Sequence, residues 1–140
     1  LLPDLTDKKI TILLELEDVG SVLGYPSALS RILIELISNV NDIKESRELK
    51  NADIIIKTFK DSNYVSIEVS DNCGGLEDID NIQEIYNPYF TTKGDLNGKG
   101  LGLFAVKTLV EDYFDGNITV ENGILGACFV IKLKKGKGIR

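Results

Sequence analysis

Asp71-Asn72-Cys73-Gly74-Gly75 and Gly98-Lys99-Gly100-Leu101-Gly102-Leu103 are the two stretches on which the reading of this chain turns. The first follows Tyr64 to Ser70, where Val65, Ile67 and Val69 alternate with Ser66, Glu68 and Ser70. That alternation predicts a strand with one buried face, which delivers Asp71 to the end of a sheet. The second runs directly into the spacing of Leu103, Phe104, Val106, Leu109, Val110 and Tyr113, which predicts an amphipathic helix over 101–114. Glycine has no Cβ and tolerates positive φ, so both clusters suit a close approach of backbone to a ligand. A glycine turn that opens a helix also presents free N–H groups and the positive end of the helix dipole, which suits phosphate. Between the clusters lies a polar stretch, 87–100, the candidate lid. The pair predicts a nucleotide site, with the rest of the chain as its scaffold.

Outward from that pair, the chain alternates between two hydrophobic periods. Ile10 to Leu16 is rich in β-branched and aliphatic residues and reads as a strand. A turn over 18–24 precedes Pro26, which suits a first helical position, with Ser27 as an alternative cap. Leu29, Ile32, Leu33, Leu36, Ile37, Val40 and Ile43 then form one apolar stripe, and Glu35, Asn39 and Asp42 line its edge. The charged stretch 44–52 is expected to end this helix in a loop. Strands follow over 53–59 and 64–70 around the turn Lys60-Asp61-Ser62-Asn63, then a short helix over 76–86. A hairpin over 117–121 and 127–133, turning at Asn122-Gly123, closes the chain. Strands mostly joined by hairpins, with helices interspersed, predict an α+β two-layer sandwich. Its sheet is mixed and mostly antiparallel, with the helices on one face. We expect residues 1–9 to be a linker remnant, 10–135 one domain and 136–140 a basic tail.

The chain has 140 residues and a net charge of −6, from 16 basic and 22 acidic side chains. That balance argues against nucleic acid as a partner, because phosphate-backbone binding is driven by clustered Lys and Arg. The one basic run, Lys132 to Arg140, reads as a solvated tail. Two cysteines make no disulfide framework and point to a reducing, cytoplasmic setting. There is no histidine, which removes Ser-His-Asp chemistry, the usual zinc sites and histidine acid–base work from this chain. No apolar run approaches the roughly 20 residues that span a bilayer. The chain starts at Leu1 and contains no Met, so we expect it to be a piece of a longer protein, whose membrane anchorage the sequence leaves open.

Glu35 and Asn39 are one helical turn apart and point the same way. The Asn39 amide oxygen suits Mg²⁺, which keeps several waters and takes other ligands from phosphates. The Glu35 carboxylate suits taking a proton from an attacking group. On spacing alone, an exposed helix edge is the commoner meaning of such a pair. An ionised Asp71 is acceptor-only and suits an exocyclic amine such as that of adenine, although Asp-Asn before Gly-Gly is also ordinary turn chemistry. Cys73 reads as a small wall residue rather than a nucleophile. Lys93 and Lys99 either face phosphates or keep the lid soluble, and Tyr86, Tyr89 and Phe90 read as hinge packing. The second glycine cluster lacks the Gly-Lys-Ser/Thr ending of a P-loop.

Taken in order, these pieces resemble the Bergerat-fold ATPases, the superfamily of gyrase B, the heat-shock chaperone, histidine kinases and the mismatch-repair ATPase. Within it, the chain is similar to the catalytic and ATP-binding domain of two-component sensor histidine kinases. Leu33 to Val40 matches the N-box, Asp71 to Gly75 the first glycine box, Asn87 to Lys93 the F-box, and Gly98 to Leu103 the second glycine box. Gly126-Ala127-Cys128-Phe129 resembles the last strand. The resemblance implies Mg²⁺ at Asn39 and the adenine amine at Asp71, with Gly75 letting the base lie close. It implies a phosphate-binding lid from Lys93, Gly98, Lys99, Gly100, Leu101 and Gly102. Glu35 falls where superfamily members keep a general base, and many sensor kinases carry Asn there.

The chain departs from the pattern at Asp42, where a basic phosphate contact is common and for which Lys44 offers a substitute from another face. Cys73 replaces a glycine, Lys99 a Thr or Ser, and Ala127 a Thr. The resemblance implies ATP and ADP as ligands and transfer of the γ-phosphoryl group to a histidine on a separate dimerisation domain, with a response regulator downstream. A serine protein kinase of the anti-sigma type and a nucleotide-binding module without transfer activity are the alternative readings.

Overall fold

Two hydrophobic periods alternate along the chain and, among the described residues, build two layers, a five-stranded sheet and a pair of helices packed on one of its faces. The structure is a computed structural model that describes residues 9–20, 22, 24–60, 62–75 and 102–135. The elements are β1 (Lys9–Leu16), α1 (Pro26–Ser46), β2 (Asn51–Lys60), β3 (Tyr64–Asp71), α2 (Gly102–Phe114), β4 (Asn117–Asn122) and β5 (Ala127–Lys134). The lead-in segment, the expected helix over 76–86, the lid over 87–100 and the basic tail past 135 lie outside the described residues.

The strand order is β1-β2-β3-β5-β4. β1 and β2 run parallel, with α1 as the crossover between them, and every other pairing is antiparallel. This is the mixed, mostly antiparallel sheet that the hairpins predicted. Register fixes which side chains share a face. Ile56, Val69, Phe129 and Val120 form one row, and Thr58, Ile67, Ile131 and Ile118 the next. Most of these are buried against Ile32, Leu36 and Val40 of α1 and Val106 and Val110 of α2. On the opposite face, Lys57, Glu68, Val130 and Thr119 form a row that stays partly or fully exposed. Ser66 is the exception on that face and is fully buried.

α1 starts where Pro26 places it, at the first helical position, after an extended Tyr25 whose carbonyl accepts from Ala28 and Leu29. Ser27 does not cap it. At the other end the helix runs further than its charge suggests, through Ser46. Lys44 is buried in the core layer, with its Nζ 3.0 Å from Glu45 Oε2. A lysine can lie there because its four-carbon stem is apolar and its ammonium has a carboxylate partner. The helix then closes on Arg47, and Glu48 takes a left-handed φ of 57° to release the chain toward β2.

A candidate nucleotide site along the first helix

α1 sets the axis of the site. Its buried stripe of Ala28, Ile32, Leu36, Val40 and Lys44 faces the sheet. Glu35, Asn39 and Asp42 are therefore half-buried along its edge, as their spacing requires. Glu35 accepts from Arg31 Nε at 2.8 Å, and its other carboxylate oxygen lies against the first residue of α2. A Cβ on Gly102 would sit 3.0 Å from Glu35 Oε1. The structure thus brings the Glu35 carboxylate against the last glycine of the second glycine cluster. Among the described residues, the Asn39 side-chain amide makes no hydrogen bond, so its oxygen remains available as an acceptor. No group of three or more acidic or sulfur ligands that could hold a metal occurs among the described residues. The donor set fits a Mg²⁺ that takes one protein oxygen and draws the rest from phosphates and water. Lys44 is not a substitute for the basic residue missing at Asp42, because its ammonium is buried against Glu45.

The other end of the site is the turn after β3. Asp71 pairs with Ile54 in the register, which places its side chain on the helix side of the sheet end. Its Oδ1 accepts from Cys73 N at 2.9 Å, and the carboxylate also accepts from Ala127 N. Burial pushes the Asp71 carboxyl above its ordinary range, and the two N–H groups and the Arg47 charge only partly pull it back. Gly74 and Gly75 take φ of 101° and 82°, a region that disfavours side chains. Cys73 is buried, and burial pushes its thiol up, as befits a wall residue.

Three supports of this turn were not foreseen. The tip of the β4–β5 hairpin clamps it from one side. Gly74 N donates to Leu125 O at 2.9 Å, Asn122 packs on Gly75, and a Cβ on Gly126 would collide with Asp71. Gly126 was the available signal for this close approach. From the other side, Arg47 Nη1 donates to Cys73 O at 2.5 Å, a contact with no sequence signature. Asn72 adds a third tie, accepting from Asp53 N at 2.8 Å. Lys93, Gly98, Lys99, Gly100 and Leu101 lie outside the described residues. Glu35, Asn39 and Arg47 follow one another along α1 over ~18 Å, at about 1.5 Å per residue.

Residues 24–137 match the family model described as histidine kinase-, DNA gyrase B-, and HSP90-like ATPase. The two-component sensor PprA of Pseudomonas aeruginosa is 31% identical over 118 residues, which are 80% of this chain and 12% of that protein. The C4-dicarboxylate transport sensor protein DctB of Rhizobium meliloti is 33% identical over 113 residues, 81% of this chain and 17% of its own length. The chain therefore spans less than a fifth of these curated relatives. Among solved structures, the catalytic domain of histidine kinase ThkA superposes with a TM-score of 0.73 at 24% identity, covering 90% of this chain and 80% of that one. That likeness establishes the two-layer fold. No helix among the described residues is long and apolar enough to cross a membrane.

Proposed function

The chain belongs to the histidine kinase-, DNA gyrase B- and HSP90-like ATPases, and from that premise we propose that it is the ATP-binding catalytic domain of a sensor histidine kinase. The observation that supports this most is the Asp71 carboxylate, held by two backbone N–H groups on the helix side of the sheet end. There it would accept from the adenine amine, beside the Gly74–Gly75 turn that lets a flat base lie close. Asn39, further back along α1, would hold Mg²⁺, which would neutralise charge on the phosphates. Glu35, against the start of α2, would orient or deprotonate the acceptor.

The reaction needs a nucleophile that this chain lacks, since it contains no histidine. An imidazole nitrogen of a separate dimerisation domain would attack the γ-phosphorus. The new P–N bond forms as the bond to the β–γ bridging oxygen breaks, the imidazole proton passes toward Glu35, and ADP leaves. A response regulator would take the phosphoryl group onward.

One observation favours a second reading, a nucleotide-binding module without transfer. Asp42 replaces a basic contact, and the buried Lys44 does not restore it. Calorimetry of Mg-ATP and ADP on the 140-residue chain tests the first step. Asp71→Asn is expected to remove most binding of either nucleotide, and Asn39→Ala only the Mg²⁺-dependent part. Parental binding in both variants would overturn the site. Binding without phosphoryl transfer to an added dimerisation domain would favour the second reading.

A further inference from the structure

We infer that Arg47 is a positioning residue for the base-binding turn, tying the Asp71–Gly75 segment to the end of the helix that bears Glu35 and Asn39. The inference rests on the nucleotide reading above and deepens it. Three observations support it. The Arg47 guanidinium is half-buried and donates to Cys73 O at 2.5 Å, across 26 residues of sequence. Its own backbone N–H donates to Ile43 O at 2.9 Å, so the residue that reaches the turn is also the cap that finishes α1. Its Nη1 lies 2.7 Å from where a Cβ on Gly74 would be, so the left-handed Gly74 is shaped around the guanidinium.

One rigid helix thus sets the spacing between the phosphate end and the base end of the site. An Arg serves better than a neutral donor here because its hydrogen bond is charge-assisted and its charge acts on the nearby carboxylate. Among the described residues, the charged and titratable groups around Asp71 and Cys73 are Arg47 and Lys44 from α1, Asp53 from β2, and the Cys73 thiol. Burial raises the Asp71 carboxyl, and Arg47 is the cation that opposes it. Without that cation, Asp71 would take up its proton at a higher pH and cease to be an acceptor-only group.

The test is ADP calorimetry over a pH series on the whole chain and on Arg47→Gln and Arg47→Lys. Arg47→Gln is expected to weaken ADP at least about tenfold at neutral pH, the scale of a lost hydrogen bond to a charged group. It is also expected to move the pH below which ADP is lost upward. Arg47→Lys keeps the charge and should restore the parental midpoint while recovering part of the affinity. A merely structural role would lower thermal stability and leave the midpoint unmoved. Parental affinity and midpoint in both variants would overturn the inference. Should Arg47→Gln not fold, Arg47→Lys decides alone: reduced ADP affinity supports the inference and parental affinity overturns it. If the parent chain binds no ADP, the nucleotide reading itself falls, which separates the two failures.

Discussion

At Asp71 the chain holds an ionisable group where ionisation costs stability. Its carboxyl is raised by burial, so the folded state prefers the neutral acid more than the unfolded state does. Stability from such a group is present below the unfolded pKa and is lost as pH rises through the raised folded pKa. Asp71→Asn, neutral at every pH, is therefore expected to melt at a higher temperature than the parent at neutral and alkaline pH. The gain should shrink as pH falls and Asp71 itself becomes neutral. Thermal melts at several pH values check this, and a variant that melts lower than the parent throughout would contradict it. The same substitution should remove most ADP binding, so the residue trades stability for recognition. Glu35 and Asn39 were legible as a pair because one helical turn separates them and the stripe beside them is unbroken. Arg47 was not legible, because its partner is a backbone carbonyl 26 residues away.

Among the elements, α1 was easiest to read and its end hardest. Its stripe of aliphatic side chains fixes which face is buried. Its last turn rests on local details outside that stripe, a buried lysine with its ammonium against Glu45 and a non-glycine residue in the left-handed region. The β4–β5 hairpin was visible as two strands around Asn122-Gly123. Its role as a clamp was not, because the contacts link residues some fifty positions apart. Gly126 carries that role. A Cβ there would run into the Asp71 backbone, so Gly126→Ala is expected to cost about 1–3 kcal/mol, the range of overpacking in a tight site. It should weaken ADP with it. Gly123→Ala is the control, since the nearest atom to its Cβ would be Gly126 O at 3.5 Å, an ordinary contact. Denaturant melts of both variants check the contrast, and equal losses would show that the clamp is not the cause.

Across the whole molecule, the layers are unevenly covered. The helices pack over β2, β3, β4 and β5, whereas among the described residues β1 pairs only with β2, reaches the core through Ile10, and keeps Leu14 and Leu16 59% and 61% exposed. An edge strand with exposed aliphatic side chains invites pairing with other chains. Leu14→Lys is expected to change stability by no more than about 0.5 kcal/mol, as surface changes do, while reducing self-association. Melts and light scattering at increasing concentration check both halves. A large loss of stability would mean that Leu14 is covered in solution. The clamp over the turn also bears on how the domain is made. Asp71 leaves the ribosome before Ala127, whose N–H completes its carboxylate environment and which follows roughly 56 residues later. At about 5–20 residues per second, that is a delay of about three to eleven seconds. Through that interval the growing chain already holds α1 with Glu35 and Asn39, yet its base-binding turn is half built, so nascent chains on the ribosome should remain blind to nucleotide until the final hairpin arrives.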